Sequence, residues 1–242
     1  NAVASPAWTT TDVTSVATYS TANNVQLTGV VNVANIPVGA LVIGTGVGRE
    51  VYVKARNIAA GTVELSQPLY AAAGTRPYTF RRFKYMLDFS GFDLLSRFEL
   101  EDIEFNCLGE CSAVMLPITG ITARFLSCTF NRPKDRGISS AGTGCQGMFV
   151  DMCQFLSNEQ GLPAQDRTTI ALNVQANDVK LRNNRIVRFA HFAILNGTGH
   201  LIHANHFFQG DDEPAGIRRA GLVFTQTNVS TVVTGNYIDN CF

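Results

Sequence analysis

The chain has 242 residues, 45% of them hydrophobic, with 19 Lys and Arg against 19 Asp and Glu and a formal net charge of +0. Such a composition supports a large buried core, and the charge balance argues against a nucleic-acid binder, which needs a basic surface. No run of about 18 apolar residues is present, so no helical membrane span is expected, and no basic-then-apolar signal segment opens the chain.

Residues 1–82 read as a unit of their own. Residues 1–48 hold one charged residue, Asp12, among Thr, Val, Ala and Asn. Short alternating runs broken by glycines follow, from Ile36 through Val51 to Pro68. Alternation with Gly-rich turns implies a small antiparallel β module. The Gly44, Gly46, Gly48 run invites a dinucleotide-binding reading. That reading fails because a strand pattern follows where a helix is required, and the third glycine is misplaced.

Residues 83–242 are organised by a repeat. After a strand-like run at Tyr85–Phe92, six copies of one cassette start at Phe98, Ala123, Met148, Val179, His200 and Thr231. Stacked in register, they give four columns. The second is Leu100, Phe125, Val150, Leu181, Ile202, Val233, and the fourth is Phe105, Phe130, Phe155, Ile186, Phe207, Ile238; both are apolar throughout. A repeat of this length signals a solenoid. The first two columns lie two residues apart, as do the last two, with a spacing of three between the pairs. Strands place alternate side chains on one face, so the extra residue marks a bend between two short strands. No sustained i, i+3, i+4, i+7 stripe supports helices.

The third column reads Ile103, Cys128, Cys153, Asn184, Asn205, Asn236. Asn tolerates left-handed backbone angles, and its amide can bond to the rung above. This Asn/Cys turn ladder resembles the right-handed parallel β-helix of the pectate-lyase-like superfamily, over about residues 85–242. A third strand per coil is expected at Ala113–Leu116, Ile170–Val174, Ala193–Leu195 and Gly221–Phe224. The fold class is therefore all-β: a right-handed parallel β-helix, three strands per coil, preceded by a small antiparallel module. That organisation is similar to bacteriophage tailspikes and the spikes of phage-like particles. The resemblance implies a homotrimer, bacterial surface polysaccharide as partner, and other virion proteins as neighbours. It implies location in a virion or phage-like particle assembled in the bacterial cytoplasm; the alternative is secretion. The last cassette reaches the chain end without a third strand, so a longer parent protein is expected.

Successive copies start 25, 25, 31, 21 and 31 residues apart. The core columns do not slip, so the surplus must leave as loops. Two long insertions leave at one corner, just after the fourth column: residues 156–168 and 208–220. Solenoid loops carry function because the coil fixes their positions. This corner gathers Asp166, Asp211, Asp212 and Glu213 as candidate catalytic carboxylates. Asp135, Arg136, Glu159, Arg167, His206, Arg218 and Arg219 are candidate substrate contacts. Coils stack about 4.8 Å apart, so carboxylate gaps of about 5–5.5 Å or about 6.5–9.5 Å, suited to retaining or inverting glycoside hydrolysis, are both reachable. The same residues also suit binding without cleavage, or a solvated ion cluster.

Family motifs add little. Polygalacturonases share this fold and use Asn-Thr-Asp, Asp-Asp, Gly-His-Gly and Arg-Ile-Lys. Here Asp211-Asp212 stands for the second alone; no Asn-Thr-Asp exists and no His follows His206. In the pectate lyases, carboxylates bind calcium and an arginine is the base. Asp211, Asp212 and Glu213 are oxygen donors for Ca²⁺, with Arg218 or Arg219 near, should the chain be a lyase. No other cofactor and no metal site is expected. The six cysteines are read as free thiols, which fits a reducing compartment. Cys107 and Cys111 lack a nearby His to complete a metal site. His200 falls in an inward column, while His203 and His206 flank Asn205. Three functions follow: a spike or fibre component that binds surface polysaccharide and cleaves it if active; a free-standing polysaccharide lyase or glycoside hydrolase; or a purely structural virion component.

Overall fold

The computed structural model describes residues 12–81, 83–90, 97–140, 142, 144–210, 221–225 and 230–239. The chain divides into two compact units, one ending at Lys84 and the other beginning at Tyr85. Each has its own apolar core.

The first unit is a six-stranded antiparallel sheet, ordered Leu41–Gly44, Gly74–Arg81, Val13–Ser20, Asn23–Thr28, Thr62–Leu65, Val53–Asn57. Its two edges meet. Val42 N donates to Val51 O at 2.8 Å and Val53 N to Ala40 O at 2.9 Å, so the sheet closes on itself. Closure removes the unpaired edges that invite aggregation. Inside lie Tyr19, Leu27, Val53, Val63, Tyr78 and Phe80, all buried. Gly46 has φ 75, and a Cβ there would collide with Ala71. That glycine serves a tight turn and close packing, with no helix beside it to hold a phosphate.

The second unit is a parallel β-helix. Its first sheet stacks Phe98–Glu101, Ala123–Leu126, Phe149–Asp151, Lys180–Arg182, Leu201–His203 and Val232–Thr234. Its second stacks Glu104–Asn106, Thr129–Asn131, Gln154–Leu156, Arg185–Val187, His206–Phe208 and Tyr237–Asp239. The pairing register is the one the columns require. Leu100, Phe125, Val150, Leu181, Ile202 and Val233 are successive partners, as are Phe105, Phe130, Phe155, Ile186, Phe207 and Ile238. Phe130 stacks on Phe105 at 5.1 Å and on Phe155 at 4.4 Å, with the ring planes nearly parallel. Each buried ring contributes about 1.5–3 kcal/mol of hydrophobic stabilisation.

The ladder between these sheets is continuous from Cys128 upward. Cys128 N donates to Cys153 Sγ (3.4 Å), Cys153 N to Asn184 Oδ1 (2.9 Å), Asn184 N to Asn205 Oδ1 (3.0 Å) and Asn205 N to Asn236 Oδ1 (2.9 Å). The left-handed bend falls one residue earlier than the asparagine-based expectation. Asp102, Ser127, Met152, Asn183, Ala204 and Gly235 take φ between 51 and 64. The ladder residue itself points inward and is chosen for its hydrogen bonds, while the bend beside it carries the strain.

The third sheet holds Tyr85–Asp88, Ser112–Leu116, Arg136–Ser140, Ile170–Asn177, His191–Asn196 and Leu222–Phe224. The strand at Arg136–Ser140 was not foreseen. Its centre, Gly137-Ile-Ser-Ser, has only one large apolar side chain to betray it. A Cβ at Gly137 would sit 2.6 Å from Ala171 O and 3.0 Å from the Phe155 ring, so the coil can close there only around glycine. Two more short strands, Thr119–Ile121 and Gly144–Gln146, continue this sheet alongside the far end of Ile170–Asn177. In those coils part of the surplus length is absorbed as strand as well as loop.

Candidate functional site

The corner between the second and third sheets is where the charged insertions leave. The loop at residues 157–169 is held rigidly. The Glu159 carboxylate accepts from Thr168 N (2.7 Å), Thr168 Oγ1 (2.8 Å), Thr169 N (2.8 Å) and Thr169 Oγ1 (2.8 Å). Ser157 Oγ receives Glu159 N at 3.0 Å and lies 2.9 Å from Thr169 Oγ1. A buried carboxylate needs such compensation, and Glu159 is only 2% exposed. The expected substrate contact is thus a clamp that joins the two ends of its loop.

Arg167 has a similar position, 3% exposed. Its guanidinium donates to Leu162 O (3.0 Å) within the loop and to Gln209 O (3.0 Å) and Oε1 (2.6 Å), two coils further on. Gln209 Nε2 donates to Phe189 O (2.6 Å) in the coil between. Arg188 Nη1 reaches back to Gln160 O at 2.8 Å, with its guanidinium 5.9 Å from the Phe208 ring centre. Three coils are tied together through one loop. Glu159 and Arg167, both expected as ligand contacts, are here engaged in hydrogen bonds that shape the corner.

Asp166 closes a short 3-10 turn, Ala164–Asp166, and is exposed. It is the described member of the expected catalytic set. Asp211, Asp212, Glu213, Arg218 and Arg219 lie outside the described residues. Asp135 and Arg136 are brought together as an ion pair at 3.4 Å at the start of a third-sheet strand. Arg136 N donates to Ser112 Oγ at 3.1 Å. The phenol of Tyr85 belongs to the same cluster. Burial raises its pKa, against the nearby Ser139 hydroxyl and the charge of Arg136. Tyr85, Ser112 and Arg136 form one column of the third sheet. Sequence reasoning missed Tyr85 and Ser139 because the third sheet lies outside the repeated cassette.

On the outward side of the second sheet, next to this corner, rings gather. His206 lies 4.9 Å from Tyr237 and 6.1 Å from Phe208, edge-on to both. Tyr237 is 64% exposed, and His206 and Phe208 are half-buried. Arg185 precedes His206 in the same outward column. The first sheet carries a second outward cluster. Arg124 and Arg182 lie 5.6 Å and 5.1 Å from the Phe149 ring centre. Arg124 pairs with Glu99 at 2.8 Å, and Arg182 with Asp151. The Arg182 and Asn183 hydrogen bonds hold the Asp151 carboxyl below its usual range. Its charges are mutually satisfied, so it resembles a surface ladder more than a ligand site.

Together, the corner offers a locked loop, exposed rings and guanidinium groups. Rings suit the apolar faces of sugars, and guanidinium groups suit hydroxyls and carboxylates. Hydrolysis needs two carboxylates; that of Glu159 is consumed by its loop, which leaves Asp166 among the described candidates. Among the described residues no group of three or more His, Cys, Asp or Glu converges on a common point. No helix of the described residues is long and apolar enough to cross a membrane. No protein-family model, curated protein or solved structure matches the chain.

Proposed function

We propose that this chain is a spike or fibre component of a bacteriophage or phage-like particle that binds a bacterial surface polysaccharide. The observation that carries this reading is the ring ledge of exposed Tyr237 and half-buried His206 and Phe208 beside a corner loop locked across three coils. A rigid, sheet-borne surface presents rings and guanidinium groups to a glycan with little ordering cost on binding. The reading includes the pectate-lyase-like and tailspike resemblance, a homotrimeric assembly alongside other virion proteins, and a place on the particle. Cleavage of the glycan is part of the proposal only through Asp166 and the carboxylates of residues 211–213.

The test is incubation of the full-length protein with host capsule or lipopolysaccharide, measuring both retention and chain length. Tyr237→Ala and His206→Ala should each weaken glycan retention by about 1–1.5 kcal/mol, roughly tenfold. Unchanged retention in both variants would remove the ledge from the argument. Shortened chains that persist in both Asp166→Ala and Asp211→Ala would show that cleavage, if present, sits elsewhere.

A further inference from the structure

Cys107 and Cys111 bracket a tight turn at the start of the second unit's coil stack. Leu108 and Gly109 both take left-handed backbone angles, φ 53 and 74, and Glu110 N donates to Cys107 O at 2.8 Å. The turn sets Cys111 Sγ 4.0 Å from Cys107 O; the neighbouring thiol together with burial raises the pKa of Cys107, while the same neighbour and Lys134 lower that of Cys111 against burial and Glu110. Both thiols are free. A third sulfur completes the group. Met86, on the first strand of the third sheet, sets its Sδ 3.6 Å from Cys107 Sγ. Cys107 is 2% exposed whereas Met86 is 46% exposed, so the cluster is enclosed on one side and open to solvent on the other.

We propose that Met86, Cys107 and Cys111 form a binding site for a soft monovalent metal ion, Cu(I) or the chemically similar Ag(I). Thiolate and thioether donors favour soft ions, while the harder metals prefer imidazole or carboxylate. With metal–sulfur bonds of about 2.3 Å, two sulfurs this far apart subtend about 100° at a shared ion, which suits a trigonal or tetrahedral centre. Binding exchanges the two thiol protons for one ion and moves no electrons. The thioether adds a neutral lone pair. The bound set of two thiolates and one M⁺ carries a single negative charge; the Glu110 carboxylate adds to it at Cys111 and the Lys134 ammonium partly offsets it. The methionine is the donor that the Cys107–Cys111 spacing lacks when the sequence is searched for histidine.

The probe is Cu(I) itself, titrated anaerobically into the reduced full chain against a chromophoric Cu(I) chelator. The wild type should withdraw one more equivalent than Cys111→Ser, whose side chain is half-buried, with circular dichroism used to check that the variant is folded. Met86→Leu should retain the equivalent but bind it about tenfold more weakly. Two protons should be released per ion, so the apparent affinity should rise with pH. Equal withdrawal by wild type and Cys111→Ser overturns the site. Undiminished affinity in Met86→Leu overturns the three-sulfur arrangement. A Cys107–Cys111 disulfide in the air-exposed protein, with no copper taken up after its reduction, does the same.

Discussion

His200 shows how one residue couples this fold to pH. It occupies the first column of the cassette and is buried there, its Nδ1 accepting from Val179 N at 3.4 Å while its ring lies 6.2 Å from that of Phe224. Nε2 is buried without a hydrogen-bond partner. Burial lowers its pKa, against the influence of the Gly197 carbonyl and the charge of Asp178. The folded state therefore holds its proton less tightly than the unfolded chain, whose histidine titrates near 6.5. Stability from this residue is fully present above about pH 6.5 and is lost as pH falls from there toward the lowered folded value. Thermal unfolding at steps from pH 7.5 to 5 should show this loss in the wild type and a flatter profile in His200→Leu. Identical profiles would assign the acid sensitivity to other groups. Asp151 acts in a separate, lower window: its depressed carboxyl contributes above about pH 4 and is lost only below it.

Among elements, the turn ladder binds the coils most directly. Asn205 Nδ2 donates to Leu181 O (2.9 Å), His203 O (3.1 Å) and Asn236 Oδ1 (2.9 Å), and its Oδ1 receives both Asn184 N and Asn184 Nδ2. Asn205→Ala strands these groups inside the coil and should cost about 2–4 kcal/mol. Asn205→Cys should cost less, because cysteine already fills this position at Cys128 and Cys153, accepting a backbone N–H at Cys128→Cys153. Chemical denaturation that ranks the cysteine variant below the alanine one would contradict the ladder's logic. This element was legible in sequence, since its donors and acceptors recur at a fixed spacing. The locked corner was legible only in outline. Residues 156–168 stand out as surplus length, but nothing in Glu159 or Arg167 as residue types distinguishes a ligand contact from an internal clamp. That difference is made by Thr168, Thr169 and Gln209, whose partners are set by coil stacking. The third-sheet strand at Arg136–Ser140 was hidden for a related reason: glycine and serines carry no strand signal, and the close approach of Ala171 and Phe155 selects the glycine at Gly137.

At the scale of the whole molecule, two separate cores predict two separable stabilities. Phe80 is fully buried in the closed antiparallel sheet and Phe155 in the β-helix. Phe80→Ala should cost the first unit about 3–5 kcal/mol and leave amide-exchange protection beyond Tyr85 unchanged; Phe155→Ala should do the reverse. Equal loss of protection on both sides of Lys84 and Tyr85 would mean that the units fold as one. Within the β-helix, the coils are not equally open to change. The bend beside the ladder keeps one three-residue spacing in every coil, and a single added residue there would turn a strand's core side chains to solvent. The opposite corner already absorbs a whole clamped loop between Leu156 and Ile170 with the columns in step on either side. One corner is closed to insertions and the other open to them, so descendants of this chain can change the loops they display without renegotiating how they fold.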